Sequence, residues 1–263
     1  MIPLKDYNPT RSRSVVTLTI IGLCVYVYFF VQPVGRQVLQ HGSSLVTTSQ
    51  ETAFTLSHAA IPFEVSHDTR LTVLEAESIT GGTTQCDQSD PAGPCFPHKN
   101  VYLAVLYSMF LHGSLLHIGG NMLFLWIFGN NIEDQAGKIG FVAFYLLAGL
   151  AATATFVLVQ PASPVPLIGA SGAIAGVMGA YLVLFPDTPI RSLIILGFFV
   201  FFRDVRAKWF LLFWLVSQFF ISPSAGVAWT AHVGGFVFGV LVALAWRATH
   251  RPPRPAAVYT SPW

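Results

Sequence analysis

The chain has 263 residues, of which 53% are hydrophobic and only 10% charged, with a mean hydropathy of +0.60. Soluble domains carry about 25% charged residues, so the composition excludes an ordinary globular protein and makes lipid the main solvent. A net charge of +2 without a basic cluster gives no nucleic-acid partner, and three cysteines are too few for a disulfide scaffold.

Residues 1–13 are predicted as a cytoplasmic N-terminus. Residues 14–35 carry no charge and are expected to form the first span, since roughly 20 apolar residues cross about 30 Å of hydrocarbon. A cleaved signal fits less well, because the run is long, ends in large residues and is followed by further spans. Residues 36–100 hold most of the acidic side chains and read as a water-exposed extracytoplasmic loop. Residues 101–246 contain spans two to six. Spans two and three, near 114–131 and 139–159, are separated by a polar turn at Asn130 to Asp134. Span four, near 168–185, starts after a proline-rich turn that no helix can cross. The apolar run 192–202 is only about 16 Å long as a helix and suits one membrane face better than a crossing. Span five is expected over 207–221 and span six over 227–246. The tail, 247–263, is proline-rich and expected to be disordered. The whole is one all-α, polytopic, six-helix membrane domain. Of the Lys and Arg residues, eleven fall on the side of the termini and three on the other. That asymmetry predicts both termini on the cytoplasmic side, and the chain is expected to be a multi-pass protein of the cell (plasma) membrane.

Polar residues inside spans carry the functional information. His112, His117 and Asn121 lie at the start of span two, Ser171 at the start of span four, and His232 at the start of span six. In this topology all three spans run inward, so their first turns share one depth beneath the outer, extracytoplasmic face. Gly169, Gly172, Gly176 and Gly179 in span four, and Gly235 and Gly239 in span six, would let helices approach backbone to backbone. A serine hydroxyl needs a base, and neutral histidine suits that task near pH 7. Ser171 and His232 are thus the candidate nucleophile and base. The Ser171 N–H at a helix N-terminus, with side-chain donors from His117 and Asn121, could hold an oxyanion. With no carboxylate at that depth, a dyad is expected.

Each residue also has a bland reading. A serine among glycines usually packs helices, and a membrane histidine often bonds a neighbour or relays protons. Zinc is disfavoured, because His112 and His117 do not share a helix face and no cysteine or carboxylate joins them. It is their coincidence at one depth that favours chemistry.

The combination His112-x4-His117-x3-Asn121, Gly169-x-Ser171-Gly172 and Ala231-His232-x-x-Gly235-x3-Gly239 resembles the rhomboid family, over about 105–245. Ile2-Pro3-Leu4-x-Asp6 and the turn from Gly129 to Asp134 resemble its bacterial members. The resemblance implies serine endopeptidase activity on transmembrane protein substrates within the lipid bilayer, without a cofactor or metal. It also implies Ser171 as nucleophile, His232 as base, His117 and Asn121 as oxyanion donors, and His112 as a structural residue. Two departures stand out. No tryptophan occurs in 34–101, and the position one turn after the serine, aromatic in some members, is Ala175. Cys86 and Cys95 form a candidate disulfide, with free thiols or zinc shared with His98 as alternatives. Rival readings are a catalytically silent rhomboid-like client-binding protein, which would typically lack the serine or histidine, and a transporter, which would need an intramembrane carboxylate. The sequence leaves substrate and oligomeric state open.

Overall fold

The computed structural model describes residues 1–33, 49–81, 84–87, 89–221 and 228–249. The expected turn before span six and most of the expected disordered tail lie outside them. The elements in order are β1 (Ile2–Asp6), α1 (Val15–Tyr26, continued by a π turn over Val27–Val31), α2 (Ser49–His58), α3 (Pro62–His67), α4 (Val73–Thr80), α5 (Val101–Ser108), α6 (Leu115–Val159), α7 (Ser171–Leu184), β2 (Pro189–Leu196), β3 (Phe199–Arg206), α8 (Ala207–Gln218) and α9 (Trp229–Thr249). Among the described residues two helices, α6 and α9, are long and apolar enough to cross a membrane; α1 with its π turn and α7 are shorter apolar helices.

α6 has 45 residues, and a straight helix of that length would extend about 68 Å. Gly137 divides it into two segments of about 33 Å each, through a φ of 72° and ψ of 168° that side chains resist. The break therefore falls after the polar stretch at Asn130 to Asp134, where a turn was expected. Those residues stay helical because the N-terminal segment satisfies them. Asn131 accepts from Asn8 and donates to Asp6, and Asp134 meets Arg11 and Ser12. The buried Glu133 carboxylate accepts from the N–H groups of Val16 and Thr17, at the otherwise unpaired start of α1.

The chain divides into two compact units. The first comprises Met1–Ile21, Gly119–Ala152 and Ser171–Trp263. Its centre is the seam between α7 and α9. A Cβ on Gly239 would overlap the carbonyl oxygen of Gly176, and one on Gly235 that of Gly172. The two backbones thus touch directly, which only glycine permits. A Cβ on Gly172 would also lie 2.6 Å from the Ala152 Cβ of α6.

This unit corrects the all-α expectation. The run 192–202 is neither a helix nor one segment: it belongs to the antiparallel hairpin β2–β3, to which β1 adds in the order β1-β2-β3. β-branched and aromatic side chains favour strands, and the two-residue turn Gly197–Phe198 closes the hairpin.

The second unit comprises Gly22–Ile118 and Thr153–Ala170. Of the stretch expected as a water-exposed loop, the described residues from Ser49 onward are largely folded here. Leu56, Ile61, Leu71, Val73, Ala76, Cys95 and Phe96 form a small core. Around it, Thr72 and Glu75 make a capping box on α4, and Cys86 is disulfide-bonded to Cys95. Lys99 Nζ meets Glu64 Oε2 at 2.5 Å and donates to the Leu56 carbonyl at 2.6 Å, both side chains being buried. Burial pushes the Lys99 ammonium below its ordinary range, against the opposing pull of Glu64.

Candidate active site

α7 begins at Ser171, directly after Gly169 (φ 120°) and Ala170. Its N–H is among the first four of the helix, which have no carbonyl partner within it. His232 lies in the first turn of α9. The glycine seam brings the two helix starts together, and His232 Nε2 lies 2.8 Å from Ser171 Oγ. That is the distance at which an imidazole can take a hydroxyl proton. Asn121 belongs to the same unit and is buried.

The other imidazole nitrogen meets a residue that sequence reading missed. His232 Nδ1 lies 2.8 Å from Oε1 of Gln218, the buried last residue of α8. One turn earlier on α8, the Trp214 ring packs on the imidazole with centroids 5.8 Å apart. The aromatic that Ala175 does not supply on α7 comes instead from α8. An amide one turn after a tryptophan, three residues before the end of the expected span five, was the available signal, but it reads equally well as an interfacial residue.

His112 and His117 lie in the second unit, with ring centroids 5.2 Å apart. His117, in the first turn of α6, accepts at Nδ1 from the Gly113 N–H at 3.3 Å. His112 is fully buried, and burial pushes its imidazole down to about 4, so the ring is neutral at pH 7. Its backbone is gripped by Gln32: the His112 N–H donates to Oε1 at 3.0 Å, and Nε2 donates to the His112 carbonyl at 3.1 Å. Gln32 also went unmarked in the sequence, standing where the first span ends.

Comparison with known proteins decides the relationship. Residues 99–248, more than half of the chain, match the rhomboid domain. The chain belongs to the rhomboid family. It is 31% identical to yeast Rhomboid protein 1, mitochondrial, over 53% of this chain and 40% of the relative. It is 32% identical to the bovine presenilin-associated rhomboid-like protein, mitochondrial, over 52% of this chain and 36% of the relative. With Arabidopsis Rhomboid-like protein 11, chloroplastic, it shares 34% identity over 37% of this chain and 36% of the relative. The matches span about two fifths of those relatives' lengths.

These relatives overturn one expectation. The plasma-membrane assignment fails, because the similar rhomboids are mitochondrial and chloroplastic, which favours an organellar membrane. Charge asymmetry distinguishes the two sides of a membrane; it carries no information about which membrane it is.

Proposed function

We propose that this rhomboid is an intramembrane serine endopeptidase that cleaves peptide bonds within or beside the transmembrane segments of other proteins, in an organellar membrane. The single observation that carries this reading is the 2.8 Å hydrogen bond between Ser171 Oγ and His232 Nε2. Ser171 attacks the scissile carbonyl while His232 takes its proton; the imidazolium then protonates the leaving amine, and water repeats the sequence on the acyl-enzyme. The Ser171 N–H and Asn121 serve the oxyanion. Neither step requires a cofactor.

Six crossings are assigned to α1 with its π turn, the two halves of α6, α7, α8 and α9. α7 has 14 residues and extends about 21 Å, short of the roughly 30 Å of hydrocarbon. This shortfall favours a Ser171 sunk below the membrane surface, where the hydroxyl meets peptide bonds that lipid otherwise shields.

The test is proteolysis in liposomes. The full chain, reconstituted with a panel of single-span substrates, is expected to cut at least one near its transmembrane segment, and Ser171→Ala to cut none. Cleavage undiminished in Ser171→Ala would refute the reading.

A further inference from the structure

We infer that Gln218 is a positioning residue that fixes the tautomer of His232 and thereby makes it a base. The inference rests on the protease reading above. For His232 to accept the Ser171 proton, Nε2 must present its lone pair, so the ring hydrogen must sit on Nδ1. Gln218 Oε1, 2.8 Å from Nδ1, accepts that hydrogen.

Gln218 is itself held in this orientation. Its Nε2 donates to the Trp214 carbonyl at 3.1 Å and lies 3.4 Å from Ser217 Oγ. Ser217 Oγ is already donating to the same Trp214 carbonyl at 2.6 Å. Turning the amide over would set Oε1 against that carbonyl, two acceptors face to face. With the amide fixed, the opposite imidazole tautomer would aim a lone pair at Oε1 and a hydrogen at Ser171, leaving the serine without a base. Burial raises the cost of either mismatch.

Among the described residues, no carboxylate competes for this role on the elements packed around the ring. α7 presents Ser171 and has no charged residue. The one charged residue of α8 is Lys208, in its first turn and paired with Asp187 at 2.7 Å. The charge on α9 is Arg247, in its last turn and bonded to the Val183 carbonyl at 3.0 Å. On the α6 segment of this unit, Glu133 is bound to Thr17, Asp134 is paired with Arg11, and Lys138 follows the break at Gly137. All three precede by several turns the Ala148 and Ala152 that meet the α7 glycines. A neutral amide thus stands where soluble hydrolases place Asp. During attack the proton passes from Ser171 Oγ to Nε2, and the Nδ1 hydrogen stays on its nitrogen, shared with Gln218.

The experiment follows the rate at which a fluorophosphonate labels the full-length protein in liposomes, across pH, in the wild type, Gln218→Met and Gln218→Glu. Methionine matches the amide in size but accepts poorly, and is expected to slow labelling by about 10–100-fold. Glutamate accepts the Nδ1 hydrogen and is expected to restore the rate to within a few-fold. By stabilising the imidazolium it should also move the acidic limb of the profile to higher pH. A wild-type rate and profile in Gln218→Met would overturn the inference. So would equal slowing in both variants with the limb unmoved, which would mark Gln218 as packing alone. Labelling that survives in Ser171→Ala would instead overturn the protease reading beneath it.

Discussion

The two units of this rhomboid are built by opposite means. The first joins α7 to α9 through glycines, with carbonyl oxygens occupying the space where side chains would otherwise meet. The second is held like a small secreted domain, by a capping box, a disulfide, a buried ion pair and a modest apolar core. In lipid, apolar side chains gain little by leaving the solvent, so close backbone packing must hold helices together. Burying Leu56, Ile61 and Phe96 would be favourable in itself against water. The contrast also bears on the position of the candidate chemistry, because the close approach of α7 and α9 brings the helix starts that carry Ser171 and His232 within hydrogen-bond reach.

The largest effect should come from breaking that seam. Gly239→Leu drives a side chain into the Gly176 backbone and is expected to reduce Ser171 labelling by more than 100-fold, or to abolish folding. Gly239→Ala should give an intermediate loss, and wild-type labelling in both would show that the helices need not touch. Next is the buried pair of the second unit. Lys99→Met leaves the Glu64 carboxylate buried without its cation, at about 3–5 kcal/mol. Amide exchange in α3, α4 and α5 should quicken accordingly, with α7 and α9 as the internal reference. Unchanged exchange in α3–α5 would mean that the pair contributes nothing. Cys86→Ser opens a disulfide spanning a separation of nine residues and should cost the same region less, about 2–3 kcal/mol.

A comparable effect is a pH dependence of opposite sign in the two units. Burial raises Asp6 from 3.8 to about 6 in the folded protein, so the folded first unit holds that proton more tightly than the unfolded chain does. Its contribution is complete below about 3.8 and is lost as pH rises through about 6. His112 is lowered from 6.5 to about 4, so its contribution to the second unit is complete above 6.5 and is lost as pH falls toward 4. Between pH 4 and 6.5, acidification should therefore slow intrinsic-rate-corrected amide exchange around Asp6 and speed it around His112. Asp6→Asn and His112→Asn should each flatten the corresponding trend, and trends of the same sign would contradict the assignment.

How much of this was legible in the sequence depended on contrast. Ser171, His232 and Asn121 stand out because they are polar residues in apolar runs, and the glycine spacings announce a close helix pair. Gln218 and Gln32 gave less contrast, since Gln218 follows Ser217 near the end of the expected span five and Gln32 precedes Pro33, places where an amide reads equally well as an interfacial residue. Hydropathy could not distinguish a strand from a helix over 192–202; the glycine between two β-prone halves was the overlooked sign. Glu64 and Lys99 looked like solvated loop charges, because their pairing arises only when α3 folds back on the residues before α5. The break at Gly137 was missed because polar residues suggested a turn, whereas the N-terminal segment supplies their partners within the helix.

On the proposed reading, His232 makes the hydroxyl of Ser171 nucleophilic. Mass-spectrometric mapping of the fluorophosphonate adduct on the membrane-embedded chain tests it most directly. One modified residue is expected, Ser171, with the adduct lost in His232→Ala while the protein remains folded. An adduct on another residue, or one that forms at the wild-type rate without His232, would contradict it.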